Sequence, residues 1–329
     1  MFPQVRMRRT RQNPWIRDLL SETTIVPENL IQPFFVIEGK NKKEPIKSLP
    51  GIFRLSIDLL VEEVLEAEKL GIKAVAIFPS IDSSLKDANA TEAYNPDNLI
   101  SRAVRSIKEK TTGIGVICDV ALDPYTDHGH DGIFEFGDVN NDATLEKLQM
   151  QALTLVNAGA DIVAPSDMMD GRVMIIREFL DEASFEHIPI LSYAIKYSSN
   201  LYGPFREAVG SKLSSSGINK RTYQADFRSG VKHALREVEL DIIEGADMIM
   251  VKPAGFYLDI ISHISLAENV PVFAYQVSGE YSMMKLAAEA GIAKWDEIMY
   301  ESLIAIKRSG ATAIFTYAAM EFAEFLRKK

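Results

Sequence analysis

A single cysteine, Cys118, stands among 329 residues, which rules out a disulfide framework or a cysteine-built zinc site within the chain. No run of roughly 18 or more apolar residues occurs, so a helical membrane span is excluded. Basic charge is in deficit, with Lys+Arg 36 against Asp+Glu 46 and a formal net charge of -10. A nucleic-acid partner, which needs a basic surface for its phosphates, is therefore not expected. The one basic cluster, Arg6, Arg8, Arg9 and Arg11, is confined to the N-terminus, where it could meet acidic groups on a neighbouring subunit. The N-terminal segment also lacks an apolar signal core, which makes the cytoplasm the expected compartment.

What is present is an ordinary globular composition, 47% apolar and 25% charged, enough for one large α/β domain or two smaller ones. Short β-branched runs at 32–37, 74–78, 115–120, 161–164, 188–194, 247–251, 272–275 and 313–317 predict eight strands. They are continuously apolar rather than alternating, which suits parallel strands covered on both faces. Helical periodicity lies between them at 58–70, 98–110, 144–158, 228–244, 280–290 and 295–309, and again at 317–329. Gly71, Gly159, Gly245 and Gly310 each separate a helix from the next strand, where glycine serves as a left-handed C-cap. Eight βα units predict a (β/α)₈ TIM barrel over 31–329, preceded by an arm at 1–30 that packs on another subunit. The competing fold is a doubly wound open sheet. It usually carries a Gly-rich phosphate loop after its first strand, and none is present.

In such a barrel the residues that end each strand converge on one mouth, where chemistry is done. Those positions hold Asp119, Ser166, Asp167, Lys196, Lys252, Ser278 and Tyr317. The two lysines stand where apolar runs stop. Poor solvation there favours the neutral amine, a second cation nearby favours it further, and a neutral amine forms a Schiff base with a carbonyl substrate. The loop 119–131 holds four carboxylates, including Asp123 and Asp131, with His128 and His130. It reads equally as an oxygen-rich metal site, suited to Mg²⁺ over Zn²⁺, or as a solvated turn. The long stretch 197–224 shows no clear period, is broken early by Gly203, Pro204 and Gly210, and reads as a lid. Its Arg206, Lys220 and Arg221 suit a carboxylate.

Several motifs run in one order along nearly the whole chain: DVALDP at 119–124, GHDG at 129–132, PSDMMDGR at 165–172 and YGPFR at 202–206. VKPAG at 251–255, YQVSGEY at 275–281 and FTY at 315–317 complete the set. With these the chain resembles the porphobilinogen synthase (5-aminolaevulinate dehydratase) family. The resemblance implies condensation of two 5-aminolevulinate molecules to porphobilinogen in tetrapyrrole synthesis, and a homo-octamer built from dimers. It implies that Lys252 forms the Schiff base with the first substrate and that Lys196 serves the second. Ser278 and Tyr317 would hold the first carboxylate, Arg206, Lys220 and Gln224 the second, and Asp119 would lie near the second substrate's amine. Zinc-dependent members carry three cysteines where this chain has Ala121, Asp123 and Asp131. The likeness is therefore to the magnesium-responsive branch, with no catalytic zinc and no organic cofactor. An activating Mg²⁺ is implied near Glu237, and Asp123 and Asp131 are further metal candidates. Without the family, the same residues read as a class I aldolase-type enzyme with an imine on Lys252. A non-enzymatic barrel would be expected to have lost its rim chemistry, which is intact.

Overall fold

The eight apolar runs form eight parallel strands in a computed structural model, which describes residues 1–211 and 219–328. They are β1 (Leu30–Ile37), β2 (Ala74–Pro79), β3 (Gly115–Val120), β4 (Ile162–Pro165), β5 (Leu191–Lys196), β6 (Met248–Lys252), β7 (Val272–Gln276) and β8 (Ala313–Thr316). Hydrogen bonding orders them β4-β3-β2-β1-β8-β7-β6-β5. A parallel bridge from Val163 to Ile190 joins the two ends of that path, which closes a (β/α)₈ barrel. Residues 188–190, expected within the fifth strand, precede it, with Ile190 making this closing bridge and its carbonyl accepting from the Asp247 and Met248 N–H groups. A short hairpin, Lys43–Pro45 with Phe53–Ser56, extends the end of β1.

Amphipathic helices cover the outside. Leu60, Val64 and Ala67 of the helix Ile57–Lys69 recur on one stripe and are all buried, which is how a surface helix docks on a sheet. The glycines expected as caps, Gly71, Gly159, Gly245 and Gly310, all have φ between 93° and 108°. Two helices absent from the sequence reading, Arg172–Glu182 and Leu258–Ala267, follow β4 and β6. Residues 1–24 include no buried side chain. Within them lies the helix Pro14–Leu19, and Phe2, Val5, Met7, Trp15, Leu19 and Leu20 are exposed.

One irregularity sets the site. In the β5–β6 ladder Ile249 pairs with Ser192, yet Val251 pairs with Ile195. β5 thus carries one extra residue between these pairs, a β-bulge. Beyond it Lys252 stands directly opposite Lys196.

Candidate active site

Each lysine is the last residue of its strand, and both are buried, at 5% and 6% relative exposure for Lys196 and Lys252. Residues paired across a ladder point to the same face, so the two amines enter the same space. Their surroundings differ. Lys196 Nζ donates to the Ser166 carbonyl at 2.5 Å and to Asp131 Oδ1 at 3.2 Å. Lys252 Nζ instead lies among four rings, 4.6 Å from the centroid of Tyr275, 5.0 Å from Tyr193, 5.1 Å from Phe205 and 5.3 Å from Tyr202. Burial first, and then the Lys196 charge, pull the Lys252 amine down to about 7, against the opposing carboxylates Asp119, Asp123 and Asp131. That shift raises the share of neutral, nucleophilic amine near pH 7 far above that of an ordinary lysine.

Asp119 is the next-to-last residue of β3, beside them. Burial raises its carboxyl to about 6, with Lys252, Lys196 and a Ser166 hydrogen bond pulling the other way, and its Oδ1 has no hydrogen-bond partner among the described residues. A carboxyl poised near neutrality can take and return a proton.

Asp123 and Asp131 are engaged by cations. Asp131 Oδ2 lies 2.8 Å from Lys220 Nζ and accepts the Tyr223 hydroxyl at 2.8 Å. Burial opposes ionisation of Asp131, but Lys196, Lys220 and these hydrogen bonds outweigh it and hold its carboxyl well below the usual range. Asp123 Oδ2 accepts from Ser211 at 2.9 Å and lies 3.5 Å from Lys220 Nζ. Burial disfavours the Lys220 ammonium, yet Asp123 and Asp131 raise its pKa above the ordinary value. Among the described residues, no cluster of three or more His, Cys, Asp or Glu side chains is arranged to hold a metal ion. Glu237 lies apart, on the helix Val231–Ile243, 3.6 Å from His233 Nε2.

The segment after β5 begins and ends at the barrel. Tyr197 and Ala225 are bridged, and the Ala225 N–H donates to the Lys196 carbonyl at 3.1 Å. Within it, Gly203 and Pro204 open the helix Gly203–Val209 instead of breaking structure, because proline is well suited to a first helical turn. Arg206, Lys220 and Gln224 line one cavity with Asp119, Asp123, Asp131, Ser166, Lys196, Tyr202, Phe205 and Lys252. Residues 212–218 of the expected lid lie outside the described residues. The space enclosed is about 20 Å³, room for about one water.

Ser278 and Tyr317 stand one step away from that cavity. The Ser278 hydroxyl accepts from the Phe205 N–H at 3.1 Å and donates to the Leu201 carbonyl at 3.2 Å. The Tyr317 hydroxyl lies 3.1 Å from that of Tyr275, whose ring faces Lys252. Tyr193, Phe205 and Tyr275 were not singled out from sequence, since an aromatic residue in or near a strand reads as core. Tyr223 likewise carries no local signal for its bond to Asp131.

Comparison with known proteins places the chain in a family. The profile of the family described as "Delta-aminolevulinic acid dehydratase" matches residues 4–325. The delta-aminolevulinic acid dehydratase of Bradyrhizobium diazoefficiens is 51% identical over 323 residues, 98% of this chain and 91% of that one. The enzyme of Synechocystis sp. is 45% identical over 331 residues, 99% of this chain and 100% of its own length. A crystal structure of the Toxoplasma gondii enzyme, in complex with the reaction product porphobilinogen, superposes with a TM-score of 0.95 at 46% identity, covering 98% of this chain and 91% of that one. The chain belongs to the delta-aminolevulinic acid dehydratase family, the lyases also called porphobilinogen synthases.

Proposed function

We propose that this chain condenses two molecules of 5-aminolevulinate to porphobilinogen through an imine on Lys252. The observation that carries the reading is the buried Lys252 amine, held in register with Lys196 and ringed by aromatic faces. The amine attacks the keto carbon of the first substrate, and loss of water leaves a C=N bond. Protonated, that bond withdraws electrons from the neighbouring carbon, which can then lose a proton and form the new bond. Asp119, with its carboxyl near 6, serves as proton acceptor and donor, and Lys196 engages the second keto group. Ser278 and Tyr317 hold the first carboxylate, and Arg206, Lys220 and Gln224 the second. Asp123 pairs with the Lys220 ammonium, and Asp131 with those of Lys196 and Lys220. Two oriented substrates react as one unit, an advantage on the order of 7–11 kcal/mol. A space of about 20 Å³ requires the cover 198–211 and 219–224 to move outward before substrate enters. Borohydride reduction with 5-aminolevulinate, followed by peptide mass mapping, is expected to mark Lys252, with or without Lys196. Folded protein without an adduct on either lysine would reject the mechanism.

The exposed apolar side chains of the arm 1–30 support its packing on a second copy, in a homo-octamer of dimers. Glu237 is the carboxylate suited to attract a hydrated Mg²⁺. Burial raises its pKa despite His233 and Arg172, and Asp241 and Asp170 add to the negative field around it. Adding Mg²⁺ to metal-stripped protein is expected to raise activity, and Glu237→Gln to remove that response. An equal response in the variant would reject the assignment.

A further inference from the structure

Glu280 is an acid with no place in the reaction as described, and it is 5% exposed. It lies in the first turn of the helix Ser278–Glu289, which opens straight from β7. Among the described residues its carboxylate pairs with no cation. It accepts three backbone N–H groups instead: Gly255 on Oε1 at 2.5 Å, and Val277 at 2.7 Å and Ala254 at 3.4 Å on Oε2. Val277 is its own helix's N-cap residue, so that bond is a local cap. Ala254 and Gly255 are different, because they belong to the turn that leaves β6 immediately after Lys252.

We propose that Glu280 is a positioning residue for Lys252, clamping the turn 253–255 to the helix that carries Ser278. The inference rests on Lys252 as the imine residue. One carboxylate thereby fixes the nucleophilic amine relative to a group two positions before it that anchors the substrate's carboxylate. The clamp is tight on its far side, since a Cβ on Gly255 would lie 2.6 Å from Glu280 Oε1. It is also buried at a cost, for burial raises the Glu280 carboxyl to about 7 even with three N–H donors pulling it down. A residue serving only as a helix cap needs no acceptor aimed at a neighbouring strand's turn. Serine, threonine or asparagine caps a helix without an acid buried under the site.

Two variants test the clamp. Glu280→Gln keeps the shape but turns an NH₂ towards backbone donors. Gly255→Ala keeps the charge and pushes the turn away. In each, kcat is expected to fall about tenfold or more with KM within about threefold of wild type, because the carboxylate grip survives while the amine is misplaced. The initial rate of borohydride trapping on Lys252 at saturating 5-aminolevulinate is expected to fall in step with kcat. A structural role alone would instead lower the melting temperature or folded fraction and leave kcat per folded subunit unchanged. Both variants within twofold of wild-type kcat per folded subunit would overturn the proposal. If Glu280→Gln does not fold, Gly255→Ala decides alone. Wild-type protein that shows no Lys252 adduct would reject the imine reading, and with it the proposal, whereas a wild-type adduct formed at an unchanged rate in both variants would reject the clamp alone.

Discussion

Lys252→Ala is expected to lower kcat about 10⁴-fold or more, equivalent to roughly 5 kcal/mol or more of barrier, while the protein stays folded. The amine is the reacting atom in the proposed imine, and no neighbouring group can replace it in place. Lys196 is held by Asp131 and the Ser166 carbonyl, and so is already committed. The fold should survive because the side chain forms no ion pair among the described residues and its backbone remains in the β5–β6 ladder. Losing a desolvated amine from among Tyr193, Tyr202, Phe205 and Tyr275 removes a burial cost along with some packing. Steady-state turnover and thermal melting check the two halves separately. Turnover within 100-fold of wild type would remove the mechanism, and an unfolded variant would show that Lys252 supports the barrel.

Lys196→Met should act twice. It removes the group proposed to engage the second substrate, which is expected to cost about 10²-fold or more in kcat/KM near pH 7. It also removes the positive charge that ranks second, after burial, among the causes of the lowered Lys252 pKa. The sign follows directly. With a cation gone, the Lys252 ammonium is easier to keep, its pKa rises, and less neutral amine is present at any given pH below it. The ascending limb of kcat/KM against pH is therefore expected to move to higher pH. A limb that stays in place, or moves to lower pH, would show that Lys196 does not tune Lys252. Asp131 retains Lys220 and the Tyr223 hydroxyl in this variant, so no buried carboxylate is left unpaired.

The barrel was legible because parallel strands buried on both faces are continuous apolar runs, and because glycines mark the helix–strand joints. Two of the unread helices, Arg172–Glu182 and Leu258–Ala267, start without a side-chain cap, at Gly171 and Tyr257. Each therefore lacks the usual start signal. At the site, strand ends pointed to Lys196 and Lys252 from residue type and position alone. Their neighbours were not legible in the same way. Ser211, Lys220 and Tyr223 reach Asp123 and Asp131 from some ninety residues along the chain. That contact exists only once the cover has folded back over the mouth, so the loop 119–131 could not be decided between metal and solvent by its own composition. Glu280 was likewise hidden. In sequence it reads as an ordinary acid in the first turn of a helix, and only the proximity of β6 to β7 gives it a second partner.

The extra residue in β5 makes the paired amines a matter of counting. Were the ladder to continue at the register of Ile249 with Ser192, Lys252 would face Ile195 and Lys196 would face Pro253. Side chains alternate along a strand, so Lys196 would then project to the opposite side of the sheet from Lys252. Both lysines could stand unaltered in the sequence and the pair would still be lost. The distance between the two amines' backbones is thus set by the spacing of neighbouring strands, and their shared direction by one inserted residue. A sequence comparison that scored only the identities at these two positions would miss a deletion between Ser192 and Ile195 that disarms the centre.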